Sequence, residues 1–300
     1  MSGIKRWLYG LILSAFLLAG CLSMQQLSKV AEFTDSEDFK EGVSVAQKAG
    51  EAMRDFTPKE EYFIGRAAGA TLLGKYPLYD RHAATIQYLN QIGQTLVMAS
   101  HKPYLYKGYS VILLDDETSI NAYATPGGHL LITRGLLKLC KTEDEVASIL
   151  AHEIAHVCHQ DAMASISKAK KLEFFQAALK FGGRKVGEKY VSADLQQLTT
   201  MFDDFSRAVS QAILNGYSLN QEDRADSAGL EIMAEAGYNP KAMLTVIKKL
   251  PAQLQGHYKA HRAPQERIIR LTRIIGRLES IPAASAERNQ RFTSHMAGML

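Results

Sequence analysis

Three hundred residues with 46% hydrophobic content can bury a sizeable core in one or two domains. The formal charge of +4 drops to +2 without Lys5 and Arg6, and no Lys/Arg block alternates with aromatic residues, so nothing favours nucleic-acid binding. Those two cations open a leader. Lys5-Arg6 is a basic start, and Trp7 to Leu18 is an apolar run too short to span a bilayer comfortably. Residues 1–20 therefore read as a signal peptide.

The run ends in Leu18-Ala19-Gly20-Cys21, which resembles a bacterial lipobox. That likeness implies cleavage before Cys21, lipidation of its thiol and a membrane attachment through the N-terminal lipid. The plainer reading is an ordinary signal peptide or anchor that happens to contain a cysteine. Leu22, not Asp, follows the cysteine, which points to the outer membrane, facing the periplasm. Residues 21–50 are polar and weakly patterned and read as a tether leading to a first helix, with one catalytic domain over 51–300.

Thr57-Pro58-Lys59-Glu60 is a helix start with a capping Thr, a Pro in the first turn and Glu three residues after the cap; the helix should run to about Leu73. A second helix, near Arg81 to Ala99, carries Ile86, Leu89, Ile92, Leu96 and Val97 at helical spacing. The texture then turns β-rich. Tyr109 to Leu114, Ser119 to Thr125 and His129 to Thr133 read as extended, with Pro126-Gly127-Gly128 turning between the last two. Helices return afterwards, giving an α+β, mainly helical class with one small sheet. Thr142 with Glu145 opens a helix expected to reach about Ser167. A helical hairpin over Met163 to Asn215 follows, broken at Gly182-Gly183, in which Phe174, Phe175, Leu179 and Phe181 fit core packing better than a membrane or partner contact. Another helix begins at Ser218 or Asn220 and stops at Gly237, and one around Gln265 to Leu278 closes the domain.

His152-Glu153-Ile154-Ala155-His156 lies inside the third of these helices. Residues four apart share a helical face, so both imidazoles can bind one zinc ion, with Glu153 placed as general base toward a water molecule there. A catalytic zinc keeps three protein ligands. Glu222 is the best candidate for the third, and Asp226, one turn on, can accept the free N–H of a ligand histidine. Read alone, that stretch is merely a charged amphipathic helix. Cys140 and Cys158 cannot join each other, because about 24 Å of helix would separate them, against the roughly 7 Å a disulfide tolerates.

Asn121-Ala122-Tyr123-Ala124-Thr125-Pro126-Gly127-Gly128, Thr133-Arg134-Gly135-Leu136-Leu137, His152 to Val157, and Glu222 with Asp226 occur in the order of four motifs of the HtpX-like zinc metallopeptidases. The chain resembles that family, which also includes the CAAX prenyl endopeptidases, from about Thr57 to Leu278. The resemblance implies a zincin-like gluzincin domain holding one Zn2+ per chain on His152, His156 and Glu222. Glu153 would be the base and Asp226 would orient a ligand histidine. It also implies that the 121–125 segment is an edge strand flanking the HExxH helix, where Asn121, Ala122, Tyr123 and Ala124 bind an extended peptide; an ordinary core strand is the alternative. Two departures stand out. Gln160-Asp161 occupies a place where the family often has Arg-His, which implies an altered partner of the site. His261 lacks the Pro that often follows it, although Arg267 comes later as expected. By resemblance His261 stabilises an oxyanion or plugs the open zinc position; equally, it is a surface residue near a helix start.

These readings describe a zinc-dependent endopeptidase of the bacterial envelope, acting in quality control on unfolded or misassembled proteins, with outer-membrane assembly factors as candidate partners. The rival is a periplasmic chaperone or scaffold whose zinc site is structural or latent.

Overall fold

The structure, a computed structural model, describes residues 55–166, 170, 171, 174, 192–250 and 264–297. Cys21 and the tether, the Gly182-Gly183 break, Phe175, Leu179, Phe181 and His261 lie outside the described residues. Helix α1 (Pro58–Lys75) starts as its sequence demands. The Thr57 hydroxyl accepts from Glu60 N–H at 3.3 Å, while Thr57 N–H donates to Glu60 Oε2 at 2.8 Å. Helix α2 (Ala83–Met98) buries Leu89, Ile92, Leu96 and Val97 on one face.

Three strands follow: β1 (Ser110–Leu114), β2 (Ala122–Thr125) and β3 (His129–Thr133). β3 sits in the middle, parallel to β1 and antiparallel to β2, so the sheet order is β1-β3-β2 and β2 lies at an edge. The β2–β3 turn depends on Gly127 and Gly128, whose φ angles of 76° and 94° are left-handed. This turn also packs hard on α1. A Cβ on Gly65 would stand 1.6 Å from the Pro126 carbonyl oxygen, so only glycine allows the helix to come this close.

Thr133 caps a short helix α3 (Arg134–Leu139), accepting from Leu136 N–H at 3.2 Å. Then comes α4 (Glu143–Cys158), which carries the HExxH sequence. It is shorter than its sequence suggests. Instead of running to about Ser167 it stops at Cys158, Gln160 turns left-handed at φ 54°, and α5 (Asp161–Ala164) sets off in a new direction. Helix α6 (Ser192–Asn215) occupies the later part of the stretch expected to form a hairpin, whose break lies outside the described residues, and Phe174 packs against Phe56 and Phe205 at ring distances of 5.9 and 4.7 Å, a core contact. Helix α7 (Leu219–Glu235) begins after Ser218 and ends before Gly237. Helices α8 (Lys241–Lys249), α9 (Pro264–Ile275) and α10 (Ala286–Met296) complete the described chain. The last of these, not α9, closes the domain. Among the described residues no helix is long and apolar enough to cross a membrane.

Helix α4 is the axis of the fold: every residue except His152 and Cys158 is buried. Its first turn buries three acids, each held by a cation from a later helix. Arg291 Nη2 meets Glu143 at 2.7 Å, Arg288 Nε meets Asp144 at 3.0 Å and Lys249 Nζ meets Glu145 at 2.6 Å. Carboxylates at a helix N-terminus also meet its positive end. The C-terminal helices thus grip the start of the helix that carries the candidate site.

Candidate active site

Four turns of buried helix bring His152 and His156 to the same side of α4, with rings perpendicular (88°) and centroids 4.6 Å apart. Their Nε2 atoms stand 3.1 Å apart. Glu222 enters from α7, with Oε2 3.4 Å from His152 Nε2 and Oε1 3.7 Å from His156 Nε2. One ligand atom from each of the three residues lies within 4.8 Å of the others. Tetrahedral zinc with ligands at roughly 2.0–2.1 Å separates them by about 3.3 Å. Donor type and spacing both fit the ion.

Each imidazole is held from behind. His152 Nδ1 lies 3.1 Å from Asp226 Oδ1. Asp226 is itself gripped by Arg267, through Nε at 3.0 Å and Nη2 at 2.7 Å, and by Arg270 Nη2 at 2.9 Å. Burial opposes the Asp226 charge, but Arg267 and His152 outweigh it and hold its carboxyl well below the usual carboxylate range. In the metal-free protein burial likewise opposes a charged His152, yet hydrogen bonds and charge from Asp226 and Glu222 prevail and raise it to about 10. His156 Nδ1 meets Asp161 Oδ2 at 2.8 Å, and Arg224 Nη2 reaches the other Asp161 oxygen at 2.6 Å. Burial works against that carboxylate too, and His156 and Arg224 overcome it, lowering its pKa.

Glu153 is buried, and burial raises its carboxyl above the ordinary range. It opens onto a cavity of about 140 Å³ together with the ligand triad, Asn121, Ala122, Tyr123 and Ala124, Tyr76, Lys75, Ile213 and Tyr217. The four residues singled out from sequence, Asn121 just before β2 and Ala122, Tyr123 and Ala124 within it, are therefore in the same cleft as the HExxH residues. Tyr217, with its ring 4.5 Å from that of His156, has a buried hydroxyl with no hydrogen-bond partner among the described residues. His159 stands at the C-cap of α4 and does not belong to the triad. Cys140 and Cys158 are free thiols.

Sequence reasoning missed Asp161, Arg224, Arg270 and Tyr217, and gave Arg267 no role. Arg267 had a signal, as the arginine that follows the His261 segment, and so did Asp161, in the Gln160-Asp161 departure. The Gln160-Asp161 departure implies an altered partner of the site, and in the structure Asp161 is the residue that meets His156.

The family model for peptidase family M48 matches residues 83–275, which spans the sheet, α4, α7 and all of α9. The chain belongs to peptidase family M48. The resemblance carried by the four sequence motifs holds at this level, and the M48 domain is that of a metalloendopeptidase. The chain is 24% identical over 235 residues to the beta-barrel assembly-enhancing protease of Escherichia coli (strain K12), covering 78% of this chain and 45% of that protein. It is 24% identical over 262 residues to the protein of the same name in Yersinia pestis, covering 80% and 52% respectively. It is 30% identical over 139 residues to the mitochondrial metalloendopeptidase OMA1 of Arabidopsis thaliana, covering 46% of this chain and 25% of that one. This M48 chain thus spans about half the length, or less, of the curated relatives it matches.

Proposed function

We propose that this M48 chain is a zinc endopeptidase that hydrolyses extended segments of unfolded or misassembled envelope proteins while anchored by lipid on Cys21. The observation that carries the reading is the convergence of His152, His156 and Glu222 beside Glu153 in one cleft. Two imidazoles and a carboxylate are the donor set of a hydrolytic zinc site with a position left for water. When bound, zinc polarises a carbonyl and acidifies water. Glu153 is not needed to hold the ion. Its buried carboxylate takes the proton from the attacking water as the C–O bond forms, and passes it to the amine as the C–N bond breaks.

Strand β2 supports an extended substrate. Thr133 N–H donates to Asn121 O at 3.0 Å, and inward-bonding residues alternate along an antiparallel pair. The backbone groups of Ala122 and Ala124 therefore point away from β3, where a peptide can add as a further strand on the side of the HExxH helix. A folded domain offers no such free strand. The names of the enterobacterial relatives support an envelope setting and a role around outer-membrane protein assembly. Signal-peptide cleavage and the lipid anchor rest on the first 21 residues alone.

The test uses the mature chain and Glu153→Gln. Both should bind one zinc, and only the wild type should cleave unfolded casein. Cleavage by the variant at the wild-type rate would remove Glu153 as the base. Zinc-dependent cleavage absent from both would favour the chaperone or scaffold.

A further inference from the structure

We propose that Asp161 is the positioning residue for His156, doing for the second imidazole of the HExxH helix what Asp226 does for the first; the inference rests on the zinc reading above. His156 turns Nε2 toward His152 and Glu222, which leaves Nδ1 on the far side of the ring, 2.8 Å from Asp161 Oδ2. The Nδ1 proton donated there keeps the Nε2 lone pair directed at the metal position. Asp161 is fully buried. Its carboxylate can hold a charge in that setting because Arg224 donates to its second oxygen at 2.6 Å.

The backbone has to change course for this contact to exist. Asp161 follows His156 by five residues, and a continuing helix would carry it about 140° around the axis, away from the imidazole. The left-handed Gln160 (φ 54°) swings it back. That conformation is disfavoured for a non-glycine residue, and the turn is secured by the Gln160 side chain, which donates to Glu61 on α1. Asp161 also reaches across to α7. Its backbone carbonyl accepts from Gln221 Nε2 at 3.2 Å, so Gln221 and Arg224, on either side of the third ligand Glu222, both bind it. One residue thereby ties the second histidine to the helix that presents the carboxylate.

A residue needed only to hold the α4–α5 turn would alter the stability of the metal-free protein and leave metal binding alone. The experiment measures zinc dissociation constants by chelator competition, and the visible spectrum of the Co2+-substituted protein, for the wild type, Asp161→Ala, Asp161→Asn and Arg224→Gln. Circular dichroism verifies the fold of each. Asp161→Ala is expected to weaken zinc by about 10–100-fold and change the Co2+ spectrum. Asp161→Asn keeps an acceptor but no charge and should lose several-fold; Arg224→Gln, at a half-exposed position, should lose less. If Asp161→Ala does not fold, Asp161→Asn decides. Folded Asp161 variants that bind zinc within twofold of wild type, with an unchanged Co2+ spectrum, would overturn the inference. A wild-type chain whose zinc binding is indifferent to His152→Ala would instead overturn the underlying zinc reading, and this inference with it.

Discussion

Arg267 holds Asp226 by both of its carboxylate oxygens, at 2.7 and 3.0 Å, and Asp226 in turn meets His152 Nδ1 at 3.1 Å. The relay joins α9 to α4 through α7. Asp226 is 1% exposed and Arg267 8%, so neither has water as a substitute partner. Among the described residues, Arg267→Leu would leave the buried carboxylate with Arg270 and His152 only. Breaking one side of a buried pair typically costs about 3–5 kcal/mol. The retained Arg270 contact puts this variant at the lower end, about 3 kcal/mol. Urea unfolding of the metal-free protein checks it, and a loss below about 0.5 kcal/mol would mean that Arg270 alone satisfies Asp226.

Gly65 offers a test in which two effects of opposite sign compete. Replacing a helical glycine by alanine usually stabilises by about 1 kcal/mol. Here the new Cβ would stand 1.6 Å from the Pro126 oxygen, a backbone atom that cannot step aside alone. Overpacking of this kind costs about 1–3 kcal/mol or more, so the clash should win and Gly65→Ala should melt lower than wild type. Pro126 follows the last residue of β2, so casein cleavage should fall as well. Gly74 is the control, because a Cβ there meets nothing within 4 Å. Gly74→Ala should melt at the same temperature or higher; a matching drop in both variants would remove the Pro126 contact as the cause.

Legibility from sequence followed how local each cause is. The HExxH pair was visible because two histidines four apart need only a helix, and the strands because β-rich runs and Pro126-Gly127-Gly128 sit side by side. Glu222 and Asp226, merely a charged amphipathic helix when read alone, became visible because HExxH calls for a third ligand. The break at Gln160 was hidden, since His159 to Ile166 contains neither Gly nor Pro and its left-handed residue is held by Glu61, 99 positions earlier. The contact Asp161 makes with His156 was hidden with it, although the Gln160-Asp161 departure marked the place. Helix α10 was missed for a different reason. It buries only Phe292 and Met296, so its apolar pattern is thin, and Arg288 and Arg291 hold it to acids more than a hundred residues away.

Asp116 sets a pH dependence in the loop that leads to β2. One oxygen, Oδ1, accepts from Thr118 N–H at 2.9 Å, Thr118 Oγ1 at 2.8 Å and Ser119 N–H at 2.9 Å. Burial opposes the charge more than any one of these hydrogen bonds favours it, but together they outweigh it and lower the carboxyl from 3.8 to about 2. A lowered folded-state pKa gives stability that is fully present above 3.8 and disappears as the pH falls through about 2. The urea midpoint of Asp116→Ala should lie below that of wild type by a constant amount above pH 4. That gap should close progressively toward pH 2. A gap independent of pH over this range would show that the carboxylate charge contributes nothing there.

Cys140 can report on opening of the catalytic helix. It lies between α3 and α4, is completely buried, and has its thiol directed at the Leu136 carbonyl at 3.7 Å. Burial, then the charge of Glu145, pushes the thiol up to about 12, so at pH 8 it is both protonated and covered. Cys158 is half-buried near Tyr109 and starts from greater access. A disulfide reagent such as DTNB should therefore modify Cys158 first, and Cys140 only as fast as the start of α4 opens. Zinc binds the folded triad in preference to the unfolded chain, so adding it should slow Cys140 modification in proportion to site occupancy. Mass spectrometry of each thiol with and without zinc measures this. Immediate modification of Cys140 in the folded protein would contradict its burial, and a rate indifferent to zinc would mean that this end of α4 opens without disturbing the triad.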